Sequence, residues 1–189
     1  MPKLVVLVSG GGTNLQAIID GVHQKVIDAE LIAVIADREC FGLERARLAH
    51  IPAHLVDRKL YRPELSQKIS ELIPDDCDLI VLAGFLSILN QQFIQRFEGK
   101  IINIHPSLLP KHGGAGMWGL KVHQAAIDAG DTESGCSIHF VSEEVDGGAI
   151  IAQAKVAIDV DDTAESLQSK VLAFEHKLLV SVITKLLTS

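Results

Sequence analysis

Cysteine is scarce in this chain: Cys40, Cys77 and Cys136 are odd in number, widely spaced and form no CxxC pair. Neither a disulfide framework nor a zinc ribbon can be assembled from them, so buried free thiols are expected. Long hydrophobic runs are also missing. No stretch approaches the length of a membrane span, and the apolar start from Met1 to Val8 is broken by Ser9-Gly10-Gly11-Gly12 before a signal-peptide core can form. The expected location is the cytoplasm, without membrane contact. A block of positive charge is absent too, since 24 acidic against 17 basic residues leave a net charge of -7 with no run of either sign. That balance disfavours nucleic acid, whose sequence-independent binding needs a basic face. Repeats, linkers and low-complexity segments are lacking as well. With 189 residues, 48% hydrophobic and 22% charged, one globular domain over 1–189 is expected.

What is present is a regular alternation. Lys3 to Val8, Leu31 to Ala36, Ala53 to Val56, Leu79 to Ala83 and Lys100 to Ile104 are apolar runs that read as strands. Between them, 14–21, 41–50, 63–73 and 91–97 carry helical spacing, the third opened by Pro63. Runs buried on both faces, alternating with amphipathic helices, predict a doubly wound, mostly parallel α/β sheet. After the helix 120–129 the pattern changes. Cys136 to Val141 and Ile150 to Ile158 alternate more clearly around the turn Glu143 to Gly148, which predicts an antiparallel edge. Thr163 opens a long C-terminal helix reaching Leu187.

Residues 103 to 110 read NIHPSLLP. In an extended Ile101–His105, Asn103 and His105 share one face while Ile102 and Ile104 take the other. Pro106 ends the ladder, so the polar pair sits at the carboxyl end of a strand, where open α/β sheets bind ligands. Ser9-Gly-Gly-Gly-Thr-Asn14, between strand and helix, suits backbone amides approaching an anion. It lacks the Walker ending and fits GxGxxG poorly, because Leu15 stands where the third glycine belongs. Of the eight histidines, His50 and His54 are separated by Pro52 and cannot share a helix face. His23, His50, His112 and His176 read as surface residues, and His139 as a structural histidine in a strand. No trio has zinc spacing, and no metal is expected. Asp146-Gly-Gly148 alone is a turn; beside Asn103 and His105 it adds a carboxylate to an amide donor and an imidazole.

In this order these elements resemble the glycinamide ribonucleotide formyltransferases of de novo purine synthesis, within the wider formyltetrahydrofolate transferase and hydrolase group. The likeness runs from Leu4 to about Leu187. It rests on SGGGTNLQAII (Ser9 to Ile19), FGLERA (Phe41 to Ala46), LAGFLSIL (Leu82 to Leu89), NIHPSLLP, SIHFVSEEVDGG (Ser137 to Gly148) and FEHKLL (Phe174 to Leu179). It implies a Rossmann-like fold and transfer of a formyl group from 10-formyltetrahydrofolate to the amine of 5-phosphoribosylglycinamide, without metal, by a monomer or homodimer. By the same likeness Asn103 and a protonated His105 donate to the oxyanion of the tetrahedral intermediate. Asp146 raises the imidazole's proton affinity and relays the amine proton. Gly12, Thr13 and Asn14 cradle the ribose phosphate, with Glu175 near the ribose or glycinamide. Leu86, Ser87, Ile88 and Leu89 face the pterin together with Asn103 and the loop Ser142, Glu143, Glu144, Val145 and Asp146. Arg58 meets the folate side.

Three departures stand out. Ser87 replaces an arginine of many members, Leu172 replaces a polar or basic group, and the loop Lys111 to Gly119 is longer and richer in glycine than the commonest form. Other acceptors within the group, namely water, a nucleotide sugar or methionyl-tRNA, belong to enzymes that usually carry an extra domain. A different class is a nucleotide-binding regulatory module that uses the glycine turn and Asp37 at the end of the second strand. That reading leaves Asn103, His105 and Asp146 without a task.

Overall fold

The structure is a computed structural model that describes residues 1–188. Seven strands form one sheet: β1 Lys3–Val8, β2 Glu30–Ala36, β3 Ala53–Leu55, β4 Leu79–Leu82, β5 Ile101–His105, β6 Glu133–Phe140 and β7 Ile150–Ala157, in the order β3-β2-β1-β4-β5-β6-β7. The first five are parallel. β6 runs antiparallel to β5, and β7 antiparallel to β6, which is the expected edge. The helices are α1 Thr13–His23, α2 Phe41–Leu48, α3 Arg58–Tyr61, α4 Leu65–Glu71, α5 Gln91–Arg96, α6 Leu120–Asp128 and α7 Ala164–Leu187. None of the described helices is long and apolar enough to cross a membrane.

The central strands are continuous apolar runs because both faces are covered. On one face, Leu15 and Ile18 of α1 and Leu179 and Ile183 of α7 pack on Leu4, Val6, Ile102 and Ile104. On the other, Leu65 and Ile69 of α4 and Phe93 of α5 pack on Val5, Leu7, Ile80 and Ile101. A smaller layer joins Ala126 of α6, Cys136, Val156 and Val171 beneath the antiparallel edge. These layers hold the fold. Truncating a wholly buried leucine such as Leu4 costs about 2–5 kcal/mol, whereas an exposed pair such as Lys68–Glu71, screened by solvent, adds little.

Local differences from the sequence reading have local causes. The helix expected from Pro63 begins as a 3-10 turn over Arg62–Glu64, and α4 proper starts at Leu65. Arg62 has φ 45°, which separates it from the extra short helix α3, capped by the Asp57 carboxylate accepting from Lys59 N–H. Thr163 does cap α7: its hydroxyl accepts from Ser166 N–H, and Ser166 Oγ accepts from Thr163 N–H at 2.9 Å. All three cysteines are free, but only Cys77 and Cys136 are buried, Cys40 being half-buried where it precedes α2. Burial pushes the Cys136 thiol up to about 12, which leaves it inert.

Candidate functional site

Strand β5 sets the first two groups. Ile102 and Ile104 join the α1/α7 layer and Ile101 the α4/α5 layer, so Asn103 and His105 project together from the Ile101 side at the strand's carboxyl end. The third group arrives from the 141–149 connection. Asp146 adopts φ 56°, and two residues on a Cβ at Gly148 would lie 1.7 Å from Phe140 O. Only glycine fits there, and the tight return turns Asp146 back toward β5.

His105 is buried, with its Nε2 2.9 Å from His112 O and its Nδ1 3.5 Å from Asp146 Oδ2. A carbonyl can only accept, so Nε2–H is the donor. Both ring nitrogens therefore face acceptors, the His112 carbonyl on one side and the Asp146 carboxylate on the other. Asp146 Oδ2 also accepts from Gly114 N–H at 2.9 Å, while Oδ1 is 3.4 Å from Asn103 Nδ2. Burial pushes the Asp146 carboxyl up, but the His105 ring and the Gly114 amide act against it, and Asp146 lies below its ordinary value. It is held ionised.

His139 is satisfied, as a structural histidine should be, yet it also belongs to the site. β5 and β6 pair Asn103 with His139, which brings His139 Nε2 to 3.1 Å from Asn103 Nδ2. His139 Nδ1 lies 2.9 Å from Phe140 O and so carries the hydrogen, leaving Nε2 to accept from the Asn103 amide. The amide donor is thus aimed by a neighbouring strand. Its contact with Asp146, at 3.4 Å, is the long one, and that hydrogen is the one free to turn to a ligand. His112, expected at the surface, is half-buried: its carbonyl accepts from His105 and its ring lies 2.7 Å from Asp131 Oδ2.

Two recesses meet at these residues. The larger, about 530 Å³, is lined by Thr13, Asn14, Leu86, Ile88, Asn103, His105, Val145, Asp146 and Glu175, with the glycine-rich loop from Gly114 to Gly119 as one wall. The smaller, about 130 Å³, is lined by Leu86, Ser87, Ile88, Leu89, Asn103 and the loop Ser142, Glu143, Glu144, Val145 and Asp146. Asn103 and Asp146 border both. Two of the expected residues line neither recess: Gly12, and Arg58, which is exposed at the start of α3.

At the far end of the larger recess, Asn14 Nδ2 donates to Glu175 Oε2 at 2.9 Å, while Asn14 Oδ1 is buried with no partner among the described residues. Burial pushes the Glu175 carboxyl up, partly offset by the Asn14 hydrogen bond. Helix α1 opens at Gly12 with no side-chain cap, so its first amides are unclaimed by side chains. Gly12 itself answers to packing. Its φ is 71°, and a Cβ there would sit 2.8 Å from Gly42 Cα, whereas Gly10 and Gly11 have open space around them. Gln168, one turn before Leu172 on α7, puts an amide into the same recess.

His123 was given no role by sequence reasoning, and nothing local marked it. It lies in α6, is buried, lines the larger recess, and has an Nδ1 with no partner among the described residues. Burial, with the nearby His105 adding, pushes it down to about 4. The unfolded chain binds this proton at an ordinary 6.5, so between the two values the unfolded state is the more protonated. Stability should therefore fall as pH drops from 6.5 toward about 4. Thermal melts across that window should show a shallower fall for His123→Gln than for the natural chain. Parallel curves would remove His123 from the acid response.

Asp37, at the end of β2, is fully buried. Arg38 Nε and a terminal nitrogen donate to it at 2.9 and 2.8 Å, and Ser87 Oγ donates at 2.5 Å. A carboxylate so occupied has nothing to offer a ribose, which removes the regulatory-module reading. Among the described residues no group of three or more His, Cys, Asp or Glu is gathered to hold a metal.

Residues 2–183 match the family model described as formyl transferase. The chain is 46% identical over 187 residues to the phosphoribosylglycinamide formyltransferase of Haemophilus influenzae, covering 97% of this chain and 86% of that protein. It is 42% identical over 189 residues to the enzyme of the same name from Escherichia coli, covering 96% and 85%. Among solved structures, a glycinamide ribonucleotide transformylase from Symbiobacterium toebii superposes with a TM-score of 0.91 at 38% identity, covering 97% of this chain and 86% of that one.

Proposed function

The chain belongs to the formyl transferase family, and from that premise we propose that it transfers a formyl group from 10-formyltetrahydrofolate to the amine of 5-phosphoribosylglycinamide in purine biosynthesis. The observation that carries the proposal is the meeting of two recesses at Asn103 and Asp146. The smaller, walled by Leu86, Ile88, Leu89 and Val145, suits a flat pterin; the larger ends in uncapped helix amides and the Asn14–Glu175 pair, which suit a phosphate and a ribose. With this reading go a single catalytic unit over 1–189 and a monomer or homodimer working in the cytoplasm.

The reaction then runs on groups already in place. The neutral amine attacks the formyl carbon, and the oxygen gains charge beside Asn103 Nδ2 and the His105 ring, preorganised donors whose orientation is fixed by His139 and His112 O. Asp146, held ionised and 3.5 Å from His105 Nδ1, balances a charged ring and takes up the amine proton, directly or through water. Collapse of the intermediate re-forms the carbonyl and breaks its bond to the folate nitrogen, which leaves with the proton that Asp146 had taken up, returned directly or through water.

Formyl transfer assayed with each candidate acceptor in turn, by absorbance of the released folate, tests the reading. Transfer to a nucleotide sugar or to water, with none to phosphoribosylglycinamide, would overturn it. A companion variant tests the phosphate end. Gly11→Ala places a methyl in open space, so it should raise the Michaelis constant for the ribonucleotide while the melting temperature holds. Gly12→Ala should instead lower the melting temperature, because its methyl meets Gly42. A Gly11→Ala enzyme with an unchanged ribonucleotide constant would move the phosphate elsewhere.

A further inference from the structure

Among the described residues, Asp37 is the one fully buried charged side chain that the reaction leaves unused. Its connections all run to one side of the molecule. The carboxylate accepts from Ser87 Oγ at 2.5 Å, and Ser9 adds a further hydrogen bond. Ser9 Oγ in turn accepts from Leu86 N–H at 2.8 Å. Two consecutive residues of the loop after β4, Leu86 by its backbone and Ser87 by its side chain, are thereby tied to a single carboxylate. The backbone of Asp37 does the same for a third segment, its carbonyl accepting from Arg58 N–H at 2.9 Å. Arg38, whose guanidinium grips both carboxylate oxygens, neutralises the buried charge on the outer side.

We infer that Asp37 is a positioning residue for the folate recess: through Ser87 and Ser9 it sets the backbone of Leu86 to Leu89, and through its own carbonyl it places Arg58. It touches neither substrate and acts through the loop it holds. The inference rests on the assignment of the smaller recess to the folate.

Some such anchor is needed there. Phe85 and Leu89 are buried in the core at either end of the loop, but Leu86 and Ile88 between them are exposed, so the middle of the loop has little packing of its own to define it. Hydrogen bonds to a desolvated charge are strong and directional, which makes Asp37 a suitable peg.

Steady-state kinetics on the full chain separate the possibilities. Ser87→Ala should raise the Michaelis constant for 10-formyltetrahydrofolate about tenfold, the lower end for losing a hydrogen bond to a charged group, and that for the ribonucleotide far less. Ser87→Thr keeps the hydroxyl and should restore folate affinity. Asp37→Asn, if it folds, should reproduce the effect, and the double variant should be little worse than either single one because both act through one network. Unchanged folate affinity in Ser87→Ala, or equal rises for both substrates, overturns the inference. No folate-dependent transfer by the unaltered protein would instead sink the functional assignment beneath it.

Discussion

Replacing Asp146 by Asn is expected to lower kcat by about 10²- to 10⁴-fold, the range for losing a positioned acid-base group, with both Michaelis constants little changed. The substitution keeps size and turn, and an Asn Oδ1 can still accept from Gly114 N–H, so the wall of the larger recess stays in place. What is lost is the charge 3.5 Å from His105 Nδ1 and the acceptor for the amine proton. Because Asp146 and His105 act on one proton inventory, Asp146→Asn combined with His105→Ala should be little worse than the poorer single variant. Steady-state kinetics of the three variants decide the matter. Multiplicative losses would mean independent roles, and normal turnover in Asp146→Asn would reduce the residue to the turn its Asp-Gly sequence provides.

Asn103→Ala should be nearly as damaging by a different route. Its amide is a preorganised donor held by His139 Nε2 at 3.1 Å, and deleting one oxyanion donor typically costs about 10²- to 10³-fold in kcat. Folate affinity should move far less, since the recess walls of Leu86, Ile88 and Val145 remain. Asn103→Asp supplies the control: it preserves shape but sets an acceptor where a donor is required, beside an ionised Asp146, and should be no more active than the alanine variant. Substantial turnover in Asn103→Asp would show that the amide hydrogen is not what the reaction uses. Single-turnover measurements with saturating substrates isolate the chemical step.

These expectations draw unequally on sequence and structure. The five parallel strands, the antiparallel edge and the pairing of Asn103 with His105 on one face were legible because periodicity is a local property. Register is not. That His139 lies opposite Asn103 depends on how β6 aligns with β5, and a one-residue slip would have turned His139 to the other face. His123 escaped notice for a related reason, since only the docking of α6 brings it to the recess wall. The glycine turn was legible as a site but not residue by residue: Gly12 is demanded by α2 packing against it, whereas Gly10 and Gly11 have open space around them, so only approach of a ligand would demand glycine there. Asp37 was visible as an acidic residue at a strand end, where analogy offers it to a ribose; its occupation by Arg38 and Ser87 needed three dimensions.

The hydrogen bond between Asn14 and Glu175 spans 161 positions of sequence and joins the first helix to the last. On a ribosome, the parallel strands and the NIHPSLLP segment emerge well before α7, which supplies Leu179 and Ile183 to the layer over β1 and closes the far end of the larger recess. A nascent chain lacking that helix therefore has its donor amide, its imidazole and the α1 amides but not Glu175, and the β1 face beneath α1 lacks the cover of Leu179 and Ile183. A ligand that settles between α1 and α7 clasps two helices far apart in sequence, so its binding free energy opposes global unfolding and not a local fluctuation.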